Sequence, residues 1–325
     1  MRAKTMPEAT KTSRMPRTYF VLAPREMSDK RVKELIRELL QKSKGGKVVF
    51  GITEEDYILG HENQPQFRTL GPNLVKSLAA QAPDHLQVLT YSQKDGVDII
   101  NKTAFTHAIV INGSFARSFH LRDESKAILA KGARIKHMSP FLDEEEARSY
   151  ANNFAQASAS SASTEALQGE VSGGDRGQHA LFCAEVGACE RKMLDKEFRK
   201  SFDNSFQTAA IIVKDGKIIA KANNTVVPYA TYAWHHGPER ERHKCDAGDS
   251  SHYDTCHAET AALINAGPAA RGADLYCRTF PCPQCARNIA YAGIKSVFYQ
   301  LDFGDPYGYN LFKEAGIEYQ KMEDL

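Results

Sequence analysis

No run of about 18 or more apolar residues occurs in the chain, which argues against a membrane span. No G-x-G-x-x-G is present, and "SKGGK" at 43–47 has neither the spacing nor the Ser/Thr of a phosphate-binding P-loop. The opening "MRAKTMPEATKTSRMPR" is basic but lacks the apolar middle and small-residue cleavage site of a secretory signal. It is expected to be a disordered arm over residues 1–17, with the cytoplasm as the default location. Cysteine is absent before residue 180; all seven (Cys183, Cys189, Cys245, Cys256, Cys277, Cys282 and Cys285) fall in the second half, a clustering that points to metal or catalysis rather than disulfides. Tryptophan occurs once, as Trp234.

What is present suits two folded parts. A length of 325 residues with 42% hydrophobic and 25% charged residues can support two cores. The net charge of +2 hides an asymmetry: 24 basic against 18 acidic residues up to position 155, and 18 against 22 beyond it. Between 152 and 178 the Ala/Ser/Gly-rich "NNFAQASASSASTEALQGEVSGGDRGQ" has little apolar bulk and reads as a linker. The expected division is therefore an α/β domain over 18–151, the linker, and a second domain over 179–325.

In the first part, strand-like "TYFVLA", "KVVFGI", "LQVLTY" and "HAIVING" alternate with helical "KRVKELIRELLQKS" and "GPNLVKSLAAQA". That alternation predicts a Rossmann-like parallel sheet covered on both faces. Ligands of such sheets sit beyond the carboxyl ends of the strands, which draws attention to Asn112–His120, although Gly113 also suits an ordinary strand-to-helix turn. The second part opens with a helical "HALFCAEVGACERKMLDKEF" and a hairpin, "TAAIIVKDGKIIAKANN", turning at Asp215-Gly216. A long irregular stretch follows, of the kind that is functional when found inside a compact domain.

The chemistry concentrates in "CHAETAALINAG" and "TFPCPQCARNIAYAG". Two residues apart on a helix, His257 and Glu259 point in nearly opposite directions, so one should bind metal and the other do something else. Cys282 and Cys285 stand three apart, with Pro283 suited to a first helical turn. One imidazole and two thiolates make the three-ligand set of a catalytic zinc with a position open for water, and Glu259 is then free for proton transfer. A structural zinc completed by Cys256 or Cys277 is the alternative, with Glu259 merely an acid favoured by the helix dipole.

His257-Ala258-Glu259 followed by Pro281-Cys282-Pro283-Gln284-Cys285 resembles the H-x-E and P-C-x-x-C signature of the zinc-dependent cytidine and deoxycytidylate deaminase superfamily, over residues of roughly 180–325. The resemblance implies an α/β/α sandwich around a five-stranded mixed sheet, with hydroxide attack on the amidine carbon of a base and release of ammonia. Carried over, it makes His257, Cys282 and Cys285 zinc ligands and Glu259 the proton shuttle. Asn224, where relatives carry G-x-G-x-N, would hold a ribose, although Ala220 and Ala222 replace the glycines. "YCRTFPCPQCARNIAYAGIKSVFYQ" resembles the deoxycytidylate branch, since tRNA adenosine deaminases usually have Glu-Pro-Cys where this chain has Phe280-Pro281-Cys282. The tail is expected to run strand, helix, strand, with the two strands parallel.

Further candidates are Trp234, which either stacks on a base or packs its loop onto the core, Ala258 beside the substrate, and Arg240 and Arg242, which either meet a substrate phosphate or stay solvated on the surface. His243, Cys245, His252 and Cys256, with His235 and His236 nearby, are candidate ligands of a second zinc. The expected activity is zinc-dependent hydrolysis of cytosine to uracil in a nucleotide such as deoxycytidylate, in a homo-oligomer of two or more chains. The alternatives are adenosine or cytidine editing in tRNA or other RNA, a free-base deaminase, and a non-enzymatic binding module.

Overall fold

The computed structural model describes residues 16–114, 122–163, 190–203, 206–237, 242, 254–302 and 305–322. These form two compact units: one of residues 16–56, 69–111 and 122–138, the other of 57–68, 112–114 and the described residues from 139 onward.

The first unit is built on five strands, β1 (Tyr19–Leu22), β2 (Val48–Thr53), β3 (Leu86–Tyr91), β4 (His107–Ile111) and β5 (Arg134–Met138). All neighbours pair in parallel, in the order β3-β2-β1-β4-β5, the expected Rossmann-like arrangement. β1 and β2 are buried at every position, which is why they read as unbroken apolar runs. The helix α1 (Asp29–Ser43) starts where the Ser28 hydroxyl accepts from the Arg31 N–H, and buries Val32, Leu35, Ile36 and Leu39 as one stripe. It packs with α2 (Pro72–Gln81) into a core with Phe50, Ile109 and Ile111. α3 (Gly96–Lys102) and α4 (Asp123–Ala130) complete the unit. β5, "RIKHM", escapes an apolar-pattern reading because it is a polar edge strand with charged outward residues.

The second unit begins earlier than expected. α5 (Glu144–Ser163) is helical through the first dozen positions of the anticipated linker, because alanines favour helix and three glutamates suit its first turn. The boundary between units thus falls near 138 rather than 151, and residues 57–68 also belong to the second unit. Residues 164–189, with Cys183 and Cys189, lie outside the described residues.

The second sheet has the order β12-β11-β10-β6-β7. β6 (Ala209–Lys214) and β7 (Lys217–Asn223) form the expected hairpin, with Asp215 at φ 51° and Gly216 at φ 72° giving the paired left-handed residues of a tight turn. β10 (Asp274–Thr279) runs antiparallel to β6 but parallel to β11 (Ser296–Leu301), and β11 runs parallel to β12 (Glu318–Lys321). A short antiparallel pair, β8 (Thr225–Val226) and β9 (Thr255–Cys256), lies apart from this sheet.

Side-chain alternation on β10 separates the two faces of the sheet. Leu275 and Cys277 join the core formed with helices that we number α8 (Ala258–Ala266), α9 (Pro283–Ala292) and α10 (Pro306–Ala315). Tyr276 points the other way, toward Leu194 and Phe198 of α6 (residues 190–198). The remaining helix, α7, is Tyr232–His236. The result is the α/β/α sandwich with a five-stranded mixed sheet that the resemblance implied. No described helix is long and apolar enough to cross a membrane.

Candidate functional site

His257 and Cys282 occupy equivalent places: each is the N-cap residue of its helix, extended at φ −66°, ψ 148° and φ −63°, ψ 164°. N-caps are normally Ser, Thr, Asp or Asn, whose side chains bind the first free N–H groups. Neither His257 nor Cys282 makes such a bond. Their side chains are released from capping and can turn toward each other, and Pro283 at the start of α9 supplies a residue with no N–H to satisfy. Cys285 sits one turn into the same helix and is buried.

The three ligand atoms meet. His257 Nδ1 lies 3.4 Å from Cys282 Sγ and 3.4 Å from Cys285 Sγ. A tetrahedral ion about 2.0 Å from nitrogen and about 2.3 Å from sulfur would hold N and S about 3.5 Å apart, so the donor set fits zinc in both chemistry and spacing. Among the described residues this is the only group of three or more His, Cys, Asp or Glu arranged to hold a metal. Cys256 and Cys277 are not in it: the Cys256 thiol faces the His257 carbonyl at 3.8 Å, and the Cys277 thiol donates to the Phe298 carbonyl.

The electrostatics follow from two thiols and an imidazole packed together beside a buried carboxyl. The Cys285 thiol and His257 beside it bring Cys282 down to about 4, a thiolate at neutral pH. Its hydrogen bond with Cys282, followed by burial, pushes the Cys285 thiol up. His257 is raised, chiefly through its hydrogen bond to Cys282. Glu259 is only 5% exposed, and burial raises its carboxyl. Its Oε2 accepts from Cys285 Sγ at 3.5 Å, so it borders the ligand cluster without being part of it. Burial followed by the charge of Glu259 raises the Cys277 thiol well above its usual value.

Two supporting residues escaped sequence reasoning. Thr260 Oγ1 lies 3.6 Å from Cys285 Sγ and accepts from Asn288 Nδ2 at 3.0 Å, tying α8 to α9 beside the ligand. The available signal was helical spacing, since Asn288 follows Cys285 by three positions on one face.

The other candidates fare differently. Asn224 is 4% exposed and its amide is engaged internally: Nδ2 donates to Asp203 and to the Phe206 carbonyl, and Oδ1 accepts from the Thr208 N–H. Its place is that of a brace between the 203–208 stretch and the end of β7, and a ribose contact rests on the resemblance alone. Trp234 does not present a face for a base. It is 4% exposed, ringed by Phe67, Tyr150 and Phe202, and pressed against Gly113, where a Cβ would come within 2.7 Å of the indole. Gly113 is therefore a close-approach glycine. Ala258 is fully buried in the core beneath α8. Arg242 is not free for a phosphate: it pairs with Asp254 at 2.7 Å and bonds to the Gly237 carbonyl and the Tyr232 hydroxyl. His235 and His236 contact Ser139 and Tyr229. Arg240, His243, Cys245 and His252 lie outside the described residues, as does the 115–120 part of the Asn112–His120 segment.

Comparison with known proteins agrees with this geometry. Residues 191–301 match the profile of the cytidine and deoxycytidylate deaminase zinc-binding region. The ComE operon protein 2 of Bacillus subtilis is 32% identical over 118 residues, covering 35% of this chain and 59% of that protein. Deoxycytidylate deaminase of Mus musculus is 36% identical over 80 residues, covering 23% of this chain and 45% of the enzyme. The chain thus spans little more than half the length of these relatives, or less. The dCMP deaminase of cyanophage S-TIM5 in complex with dCMP and dUMP aligns at a TM-score of 0.34 with 27% identity, over 42% of this chain and 96% of that one. The matched stretch 191–301 contains His257, Cys282 and Cys285, the three donors that the structure brings together.

Proposed function

We propose that the second unit hydrolytically removes ammonia from the amidine of a nucleobase, cytosine in a free nucleotide such as deoxycytidylate. The observation that carries this reading is a three-donor cluster with an unligated, buried carboxyl at its edge. A closed structural site needs a fourth protein ligand, and a three-ligand site leaves one position for water or substrate. His257, Cys282 and Cys285 would hold the zinc. When bound, zinc would lower the pKa of water toward about 7 and so provide a nucleophile at neutral pH.

The chain's own residues perform the proton handling. Glu259 stands where it can take a proton onto a carboxylate oxygen and return it to the departing amine, and its burial favours the protonated form between the two transfers. Thr260 and Asn288 hold Cys285 and the two helix ends in register. Phe280 and Pro281 before the ligand Cys282 support the nucleotide branch, as does the identity to deoxycytidylate deaminase.

The test is an ammonia-release screen of the zinc-loaded protein over nucleobases, nucleosides, nucleotides and bulk tRNA. Release from deoxycytidylate or a related mononucleotide is expected. Inosine or uridine appearing in tRNA, with no ammonia from any mononucleotide, would overturn the assignment.

A further inference from the structure

The second unit contains a pocket of about 490 Å³ that the deaminase reading does not use, lined by Gly60–Gln64, Phe198, Arg199, Gln207 and Arg278. It lies on the opposite face of the sheet from the zinc ligands. Arg278 follows Cys277 on β10, so the two side chains project to opposite sides. Cys277 enters the core beneath α8 and α9, whereas Arg278 stacks 3.7 Å from the Phe198 ring centroid on α6.

The pocket is constructed rather than incidental. Gln66 is fully buried, and its amide donates to the Arg199 and Ser201 carbonyls, which fastens the 57–68 segment to the turn after α6. The His61 ring packs on Phe67 beneath that segment. Arg278 is oriented by its bond to the Gln207 carbonyl at 3.1 Å as well as by Phe198. The Arg199 guanidinium also lies over Phe198, at 5.6 Å. Two cations are thereby gathered round one aromatic ring, and neither forms an ion pair among the described residues. One carboxylate, Glu62, lines the rim, where it accepts from the Gly60 N–H.

Such an arrangement carries an unmet cost. Burial strips hydration from Arg278, and the like charge of Arg199 adds to the penalty against the partial relief from Asp195. Gln64, 5% exposed, lines the same wall, and its Oε1 has no hydrogen-bond partner among the described residues. A ligand with an anionic oxygen cluster and a hydrogen-bond donor would answer both deficits. Arginine forks match phosphate oxygens, and a concave volume of this size takes a small molecule.

We propose that this pocket binds a phosphorylated small molecule, its phosphate between Arg199 and Arg278 and its organic part toward Gln64, at a site separate from the zinc centre. The inference goes beyond the deaminase reading and does not depend on it.

The test is a titration of the zinc-loaded full chain with inorganic phosphate, then with adenosine 5′-monophosphate as a generic phosphate ester, followed by ³¹P NMR. Saturable binding of both is expected, weakened at least about tenfold by Arg199→Glu and by Arg278→Gln, since each removes a charge-assisted bond. Arg199 is exposed, so its variant folds even if the Arg278 variant does not. Affinities unchanged in Arg199→Glu would overturn the proposal, as would silence of both probes while a single-stranded RNA oligomer binds.

Discussion

Replacing Glu259 by Gln separates proton transfer from metal binding more sharply than any other single change. Gln keeps the volume of a side chain that is 5% exposed, so no cavity opens and the packing beneath α8 is preserved. It removes only the titratable oxygen. General acid–base catalysis contributes about 10²–10⁴-fold, which corresponds to about 3–5 kcal/mol of barrier, so ammonia release should fall by that factor. Zinc should stay near one per chain, because Glu259 Oε2 contacts the Cys285 sulfur and is not among the ligand atoms. The assay pairs elemental analysis of the purified protein with steady-state kinetics. Activity within about tenfold of the parent would refute proton transfer by Glu259. Zinc lost together with activity would make the residue a ligand or a support of the ligands instead.

The remaining expectations reach the ligands, the packing behind them and the first unit. Cys285→Ser should lose zinc and Cys256→Ser should keep it, read by the same elemental analysis, since only the former belongs to the three-atom cluster. Gly308→Val should lower stability by about 1–3 kcal/mol in urea unfolding and weaken zinc retention, because a Cβ there comes within 2.8 Å of Phe280, two residues before Cys282. Trp234→Phe should lower the melting temperature and leave KM unchanged; a raised KM at unchanged stability would return the indole to the substrate. In the first unit, burial works to raise the Glu55 carboxyl, but hydrogen bonds from the Ser92 hydroxyl and the Gln93 N–H outweigh it and hold it low. A lowered folded value contributes stability that is present above the ordinary carboxyl range and fades as pH falls through it. Ser92→Ala should flatten that acid slope in thermal unfolding, and an unchanged slope would refute it.

Legibility in the sequence followed the reach of the forces involved. The hairpin at Asp215-Gly216, the strands of the parallel sheet and the α1 stripe are decided by neighbours within one turn or one strand, and each was readable. So were His257, Cys282 and Cys285, whose residue types and spacing have few other uses. Polar β5 was missed because an edge strand needs no apolar pattern. The early linker boundary was missed because alanine-rich sequence suits a helix as well as a linker. The sequence leaves Arg242 and Trp234 open for a different reason. An arginine is free or committed according to whether Asp254, twelve positions on, comes back to it, and a tryptophan is exposed or buried according to Phe67 and Tyr150, far away in the chain.

The same distinction explains why the ligand cluster is built at helix starts. A metal site needs donors that converge from separate segments, and a helix N-terminus delivers a residue at a defined angle while its free N–H groups and dipole favour negative charge. Placing His257 and Cys282 at the N-caps forfeits the capping bonds, each worth about 1 kcal/mol, that Ser or Asp would have provided. Elsewhere in the chain, Ser28 and Asp305 hold N-cap positions and do make those bonds. His257 and Cys282 stand at two helix starts only a few ångströms apart, where the thiolate of Cys282 gains from the positive ends of the helices, although α2, α4 and α7 also begin without a side-chain cap. Restoring a capping residue, as in Cys282→Asp, should therefore strengthen the first turn of α9 locally while weakening zinc binding, an opposition that hydrogen exchange and elemental analysis can read on the same sample. Loss of both together would mean that the metal, rather than the cap, holds that turn.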